Sequence, residues 1–158
     1  MLKIMKTTNF ILAPLVAAVC CVSCSSPEER AEDTILSFAE DLEEIFSENR
    51  TASMEEIIDE VHDYVTDNTS GVLSDLSKLT DSQKARLVKN LHKQKAFDDL
   101  SSISERVIKE KMPKRSNSPE KLWKQLPVES RVKVVETATC LAKIFVTLCF
   151  NGEVISEL

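Results

Sequence analysis

Three side chains that could share a metal ion lie along one predicted helix. Glu55, Asp59 and His62 stand at positions i, i+4 and i+7, which places them on one side of a helix. Carboxylate and imidazole groups bind iron, manganese and zinc, and Asp59-x-x-His62 has half of the spacing used in di-iron helical bundles. A complete site needs a second such motif, and Lys89 stands at the matching position before His92. We therefore interpret the three residues as a solvated acidic face and expect neither a metal nor another cofactor.

Motifs of the common enzyme classes are not evident in the sequence. The chain contains 2 glycines, Gly71 and Gly152, so it has no glycine-rich loop that could approach a phosphate. No G-x-S-x-G motif marks a nucleophile, and no H-E-x-x-H motif marks a catalytic zinc. We therefore predict a protein that is not an enzyme.

A short apolar segment near the N-terminus leads to Cys24. Lys3 and Lys6 precede an apolar run over residues 10–22, and Ser23 follows it. A cationic start, an apolar core of about 7–15 residues and a small residue before the cleavage site define a secretory signal. The run is too short to span a bilayer, which takes about 20 apolar residues. The sequence therefore predicts a removable signal over residues 1–23.

The pentapeptide 22–26 (VSCSS) resembles the lipobox of bacterial lipoproteins, with Cys21 where leucine is usual. The resemblance implies that Cys24 carries acyl chains and becomes the mature N-terminus. It also implies a lipid anchor in the bacterial cell envelope, and Ser25 rather than Asp after the cysteine favours the outer membrane. Ordinary cleavage near residues 23–26 is the alternative, and it would leave a soluble secreted helical protein.

Residues 24–158 are expected to form one all-α domain, a compact bundle of five to six helices. Glycine is scarce, whereas Glu, Lys, Leu, Ser and Ala are abundant, which favours helices over sheet. Capping boxes beginning at Ser26, Ser53 and Thr80 each predict a helix start. Ser118 with Pro119 predicts the start of another, short helix.

The expected helix boundaries follow from the apolar stripes and the turn residues. The first helix is expected to end near Ser47, and the second near Asp67, before a turn at 68–71 and a short third helix over 72–79. The stripes that follow Thr80 and Phe97 face different directions at about 100° per residue. We therefore predict a break over 93–97. Residues 112–118 are expected to form a basic loop.

The last predicted helix, over residues 128–150, is apolar nearly all round from Ala138 onward except at Lys143. Such a helix is usually buried, so it is expected to be the centre of the bundle, and Val132→Asp is then expected to prevent folding. A pair of strands is the competing assignment, because Val, Thr and Ile are frequent here. Cys140 and Cys149 would lie about 13 Å apart along a helix, too far for a disulfide, so two buried free thiols are expected.

The charges of the chain are divided between its halves. Residues 28–67 contain 15 acidic and 2 basic side chains, whereas residues 78–133 contain 15 basic and 7 acidic ones. The basic half could meet an anionic ligand, and Lys109, Lys111, Lys114 and Arg115 form the candidate anion-binding patch. We favour the other interpretation, in which the two halves pack together, because charge patterns report association and solubility more than one ligand. Nucleic acid is not expected as a partner of an exported acidic protein.

The expected function is that of a non-enzymatic, lipid-anchored protein of the bacterial envelope. Its partners would be the membrane, through the N-terminal lipid anchor, and a protein or an envelope polymer. The alternative is a small helical carrier that binds a lipid or another ligand between its amphipathic helices.

Overall fold

The computed structural model describes residues 25–112 and 118–149, and these residues form an all-α bundle, as the sequence predicts. Cys24 and the rest of the predicted signal lie outside the described residues, as do 113–117 of the predicted basic loop and the last residues from 150 onward. The helices are α1 (Pro27–Glu48), α2 (Met54–Ser77), α3 (Asp81–Leu91), α4 (Lys95–Lys111), α5 (Pro119–Gln125) and α6 (Val128–Cys149).

Capping boxes begin the first three helices, as predicted. Ser26 Oγ accepts a hydrogen bond from the backbone N–H of Glu29 at 3.1 Å, and the Glu29 carboxylate accepts one from the N–H of Ser26 at 2.9 Å. The Ser53 and Thr80 boxes have the same reciprocal pattern. Each box satisfies donors that the first turn of a helix leaves without a partner, so the start of each helix is determined by a few neighbouring residues.

The second helix is longer than the sequence suggests, and the predicted turn at 68–71 is wrong. Helix α2 continues without interruption to Ser77. Thr69 Oγ1 donates to the Val65 carbonyl oxygen at 2.6 Å, so this polar side chain is satisfied within the helix. Val65, Val72 and Leu76 are all buried. Burial of this continuous face outweighs the cost of about 1 kcal/mol that Gly71 imposes on a helix.

The break that the sequence predicts between the stripe after Thr80 and the stripe after Phe97 is confirmed. Helix α3 ends at Leu91 and α4 begins at Lys95. In the turn, the Lys93 N–H donates to the Asn90 carbonyl oxygen and the Gln94 N–H donates to that of Leu91. The turn allows both stripes to enter the core despite their different directions.

Helices α1 and α2 pack antiparallel, whereas α2 and α6 run in the same direction. Thr34 near the start of α1 bonds to Asp75 near the end of α2, and Tyr64 donates to Asp41 at 2.6 Å. Lys133 near the start of α6 donates through Nζ to Asp59 near the start of α2, at 2.9 Å. The main core lies between these helices and α3, and its fully buried large side chains include Val65, Leu76 and Leu87.

The chain order therefore places the start of α1 and the end of α6 at one end of the bundle. Gln94 links them, because its side chain donates to Glu32 of α1 at 3.2 Å and also lines a cleft with Phe145 and Cys149 of α6. The loop after α1 and the end of α4 lie at the opposite end. There Arg50 pairs with Glu110 at 2.7 Å.

The prediction of a buried C-terminal helix is wrong. Residues 128–149 are helical, which excludes the strand pair, but Ser130 is the only buried residue of α6. One face packs on α2 and α3, while Val132 is 51 % exposed on the other. The free thiols are not buried either, since Cys140 is half-buried and Cys149 is exposed. Hydrophobicity on all sides thus marks a second apolar surface rather than a central position.

Ion pairs connect the acidic and the basic halves of the chain. Arg86 of α3 binds Glu28 of α1 through two hydrogen bonds of 2.8 and 3.2 Å, and these bonds hold the pKa of Glu28 below its ordinary value. Lys133 of α6 binds Asp59 of α2. These pairs agree with the interpretation that we favoured from the charge pattern, in which the two halves pack together. Each pair is at the surface and contributes little to stability by itself.

Candidate functional site: an apolar groove

An apolar groove of about 390 Å³ opens on the side of the bundle formed by α2, α5 and α6. The end of α1 and the end of α4 complete its walls. Its lining residues are Phe46, Met54, Ile57, Ile58, Val61, Ile108, Pro119, Leu122, Trp123, Leu126, Val134, Thr137, Ala138 and Leu141.

The floor of the groove is a small hydrophobic cluster beneath the first turns of α2. Ile57 packs with Ile103 and Val107 of α4, and all three are buried. Phe46 and Val61 pack against this cluster and are only partly buried. The floor is therefore buried, while part of the surface of Phe46 and Val61 remains open to solvent.

The short helix α5 forms one wall of the groove. Pro119 stands at its first position, where the fixed φ of proline suits a helix start. Leu122, Trp123 and Leu126 follow at helical spacing and face the groove. Leu126 is buried, whereas Trp123 remains 38 % exposed. An indole left at the rim of an apolar cleft is typical of a binding surface, because tryptophan combines large contact area with few rotatable bonds.

The groove has no groups for acid–base or nucleophilic chemistry. Among the described lining residues no side chain is titratable, and the one hydroxyl belongs to Thr137, which donates to the Lys133 carbonyl oxygen at 2.8 Å. A surface of this kind can bind apolar groups by excluding water. It offers no means of cleaving or forming a bond.

The groove could not be predicted from the sequence. Ile58 and Trp123 lie on different predicted helices, and no pattern in the sequence indicates that they meet. The sequence does contain one signal: Met54, Ile57, Ile58 and Val61 form a stripe broader than a single neighbouring helix covers. The stripe itself does not indicate which other helix covers its remaining apolar side chains.

The three candidate metal ligands of α2 do not meet as one site. Asp59 is paired with Lys133, and His62 lies between two carboxylates, with Nε2 at 2.8 Å from Glu136 and Nδ1 at 3.1 Å from Asp63. Over residues 25–112 and 118–149, no three His, Cys, Asp or Glu side chains are grouped so that they could hold a metal ion. Asp59 and His62 instead connect α2 to α6, and Glu55 takes no part in these contacts.

His62 is the titratable link between α2 and α6. Its side chain is 15 % exposed. The hydrogen bond to Asp63 and the interaction with Glu136 raise the pKa of His62 above its ordinary value, while partial burial opposes them. A group whose pKa is raised on folding stabilises the fold below its unfolded pKa, about 6.5, and this stability is lost as the pH rises through the folded pKa.

We therefore expect the free energy of unfolding to fall from pH 6 to pH 8.5 by about 0.5 kcal/mol through His62, a typical value for an exposed charge pair. His62→Gln is expected to remove this decline. Denaturant unfolding at both pH values measures the effect. His92→Gln is the matched control, because His92 is exposed and has no ion pair within the described ranges. An unchanged decline in His62→Gln would contradict the assignment.

The candidate anion-binding patch is only partly described. Lys111 Nζ donates to the Arg50 carbonyl oxygen at 2.6 Å, and so ties the end of α4 to the loop after α1. Lys109 lies 3.7 Å from Glu105, one turn earlier in the same helix. Lys114 and Arg115 lie outside the described residues. The two described lysines therefore already have partners within the bundle.

Comparison with known proteins found no match for this chain. Within the described part of the chain, no helix is long and apolar enough to cross a membrane. No protein-family model matches the chain, and no curated protein or solved structure matches it either.

Proposed function

We propose that this protein is a non-enzymatic, lipid-anchored protein of the bacterial cell envelope that binds an apolar segment of another envelope protein in the groove. The observation that carries the binding role is the groove itself, a solvent-open apolar cleft with Trp123 at its rim. The lipobox-like segment around Cys24 supports the anchor. Together they suit a protein that holds a partner near a membrane.

The positions of the anchor and the groove support this proposal. Helix α1 begins directly after Ser26, its N-cap, so a lipidated Cys24 would leave almost no flexible tether. Phe46, which lines the groove, lies about 30 Å along α1 from that end at 1.5 Å per residue. The anchor and the groove are therefore at different ends of α1. A partner in the groove would be held in the aqueous space rather than against the lipid.

The chemistry of the groove favours a protein over an envelope polymer. Polysaccharide recognition needs polar groups that replace water at the sugar hydroxyls, because buried polar groups without partners are costly. Within residues 25–112 and 118–149, Thr137 provides the only hydroxyl of the lining, and it is engaged by its own helix. Apolar side chains from one face of an amphipathic helix suit such a cleft.

Photocrosslinking from the groove tests the proposal. A photoreactive amino acid at Leu122, expressed in the full chain in its own host, is expected to give one dominant adduct with an envelope protein after irradiation. Adding Ile58→Glu on the opposite wall is expected to reduce that adduct at least about tenfold, because an unpaired carboxylate opposes apolar burial. The same probe at Ser102, exposed on α4, is the control. Equal adducts from both positions, or none from Leu122, would contradict the proposed binding role.

The size of the groove also favours a second function, that of a carrier for a small lipid. A volume of about 390 Å³ is within the range of small-molecule sites. Trp123 is the only tryptophan of the chain, so its fluorescence reports occupancy of the groove directly. A saturable change on titration with dodecanoate, lost in Ile58→Glu, would favour the carrier. If the fluorescence is unchanged and native mass spectrometry finds no bound lipid, the carrier function is rejected in favour of the protein-binding function.

A further inference from the structure

Helix α6 presents a second apolar surface that is separate from the floor of the groove. Val128, Val132 and Val135 are 66, 51 and 55 % exposed. They begin a series with alternating spacings of four and three residues, the repeat of a coiled-coil seam. The full series, here called the α6 seam, is Val128, Val132, Val135, Thr139, Ala142, Val146 and Cys149.

We propose that the α6 seam joins two copies of this chain, with their α6 helices side by side and parallel. In heptad notation the a positions are Val132, Thr139 and Val146, all β-branched, and β-branched residues at a suit two-stranded pairing. Six of the seven seam positions are exposed to solvent in the single chain, and three of them are valines that are more than half exposed on successive turns. A contiguous apolar surface of this kind marks an interaction site.

The charges beside the seam suit pairing with a second copy. Arg131 is at position g and is partly exposed, although its Nε is enclosed by its own chain. In a parallel pair, position g of one helix faces position e of the other five residues later. That residue is Glu136, so each Arg131 would meet a carboxylate of the other copy. An antiparallel pair would instead bring Glu136 near Lys143 of the other copy and would place the two Cys149 thiols at opposite ends of the pair, so the position of Cys149 distinguishes the two directions.

The last seam residue provides a direct test of the pairing. Cys149 is exposed and at a d position, so a parallel pair would place the two Cys149 thiols opposite each other across the symmetry axis. Cys140 packs against the main core, on the opposite side of α6 from the seam. A parallel pair also keeps both starts of α1 at one end, so that two anchors could enter one membrane. The seam does not depend on the groove or on its ligand.

Oxidative cross-linking of the full chain in envelope fractions, with copper phenanthroline, tests the proposal. We expect a disulfide-linked species of twice the protein's mass that is retained in Cys140→Ser and lost in Cys149→Ser. Oxidation removes two electrons and two protons from the thiol pair, and oxygen accepts them. Val135→Glu is expected to reduce the yield about tenfold, since it places two carboxylates in an apolar seam. Ser102→Glu adds the same charge on α4 and is expected to leave the yield unchanged.

Three outcomes would overturn the proposal. The first is the absence of the Cys149 species together with a monomer mass in analytical ultracentrifugation of the purified, detergent-solubilised chain. The second is a Cys149 adduct with a different protein, which would assign the seam to another partner. The third is an undiminished yield in a Val135→Glu protein whose circular dichroism melt is normal. Because the photocrosslinking test uses Leu122 on α5, failure of the seam is distinguishable from failure of the groove.

Discussion

Replacing Val65 by Asp is expected to prevent folding, whereas Val132→Asp is expected to melt as cooperatively as the natural protein. Val65 has no exposed surface, and it lies in the main core between α1, α2 and α6. Burying an unpaired carboxylate costs several kcal/mol, and the loss of the valine contacts adds to this. Against a total stability of about 5–15 kcal/mol for a domain, such a loss leaves little folded protein.

Val132 has the same side chain on a different helix, which makes it a matched control. Its exposed half faces solvent in the single chain, so Val132→Asp is expected to change the free energy of unfolding by less than about 1 kcal/mol. Thermal unfolding by circular dichroism, at concentrations too low for association, measures both variants. A cooperative melt of Val65→Asp near the natural temperature would contradict the packing of the core. Failure of Val132→Asp to fold would restore the buried position that the sequence suggests.

Cys24→Ser is expected to move the protein from the membrane fraction to the soluble fraction, or to leave it uncleaved. Acyl chains on a cysteine stabilise membrane attachment by about 0.8 kcal/mol for each buried methylene, and stable attachment takes more than one such chain. Serine has no thiol for thioether formation, so all of that attachment would be lost. Fractionation and mass spectrometry of the mature N-terminus measure the change.

Cys20→Ser is the control for the anchor, because it alters the same segment without removing Cys24. It is expected to partition with the membrane as the natural protein does. Unchanged membrane partition of Cys24→Ser, with no acyl mass on Cys24 of the natural protein, would refute the anchor. In that case the alternative of a soluble secreted protein would apply, and the groove would act without a membrane link.

Under the two proposals, the groove and the α6 seam occupy different parts of the surface of α6. Ala138 and Leu141 line the groove, whereas Val132 and Val135 lie on the seam. Pairing through the seam would place two grooves in one assembly, each at the same height above the anchored end. Two linked sites bind a partner that has two matching segments more tightly than either site alone.

Helix starts could be predicted from the sequence because each depends on a few neighbouring residues. The boxes at Ser26, Ser53 and Thr80 need only a hydroxyl and a side-chain acceptor three residues later. The break between α3 and α4 could also be predicted, because two stripes that face different directions cannot both be buried along one straight helix. The all-α class was predicted from composition, since glycine is scarce and good helix formers are abundant, but only the structure excluded a strand pair over residues 128–149.

The course of α2 through Gly71 was decided only by the tertiary structure. Local preferences favoured a turn there, but burial of Val65, Val72 and Leu76 on one continuous face outweighed them. The tertiary structure also decided the role of Asp59 and His62, whose spacing resembles that of metal ligands. Lys133 and Glu136, from a helix distant in sequence, are their partners. Such contacts join residues 74 positions apart, and no local pattern contains that information.

The amino-acid sequence by itself determined where the capped helices α1, α2 and α3 begin and that α6 is apolar nearly all round from Ala138 onward. Only the tertiary structure decided which of its apolar surfaces the chain covers. One face packs on α2 and α3, part of another lines the groove beside Trp123, and the seam from Val128 to Cys149 is left largely exposed. The physical reason is that the pattern of hydrophobic residues identifies surfaces that are stabilised by leaving water. The pattern does not indicate whether the surface that covers these residues belongs to the same chain or to another molecule.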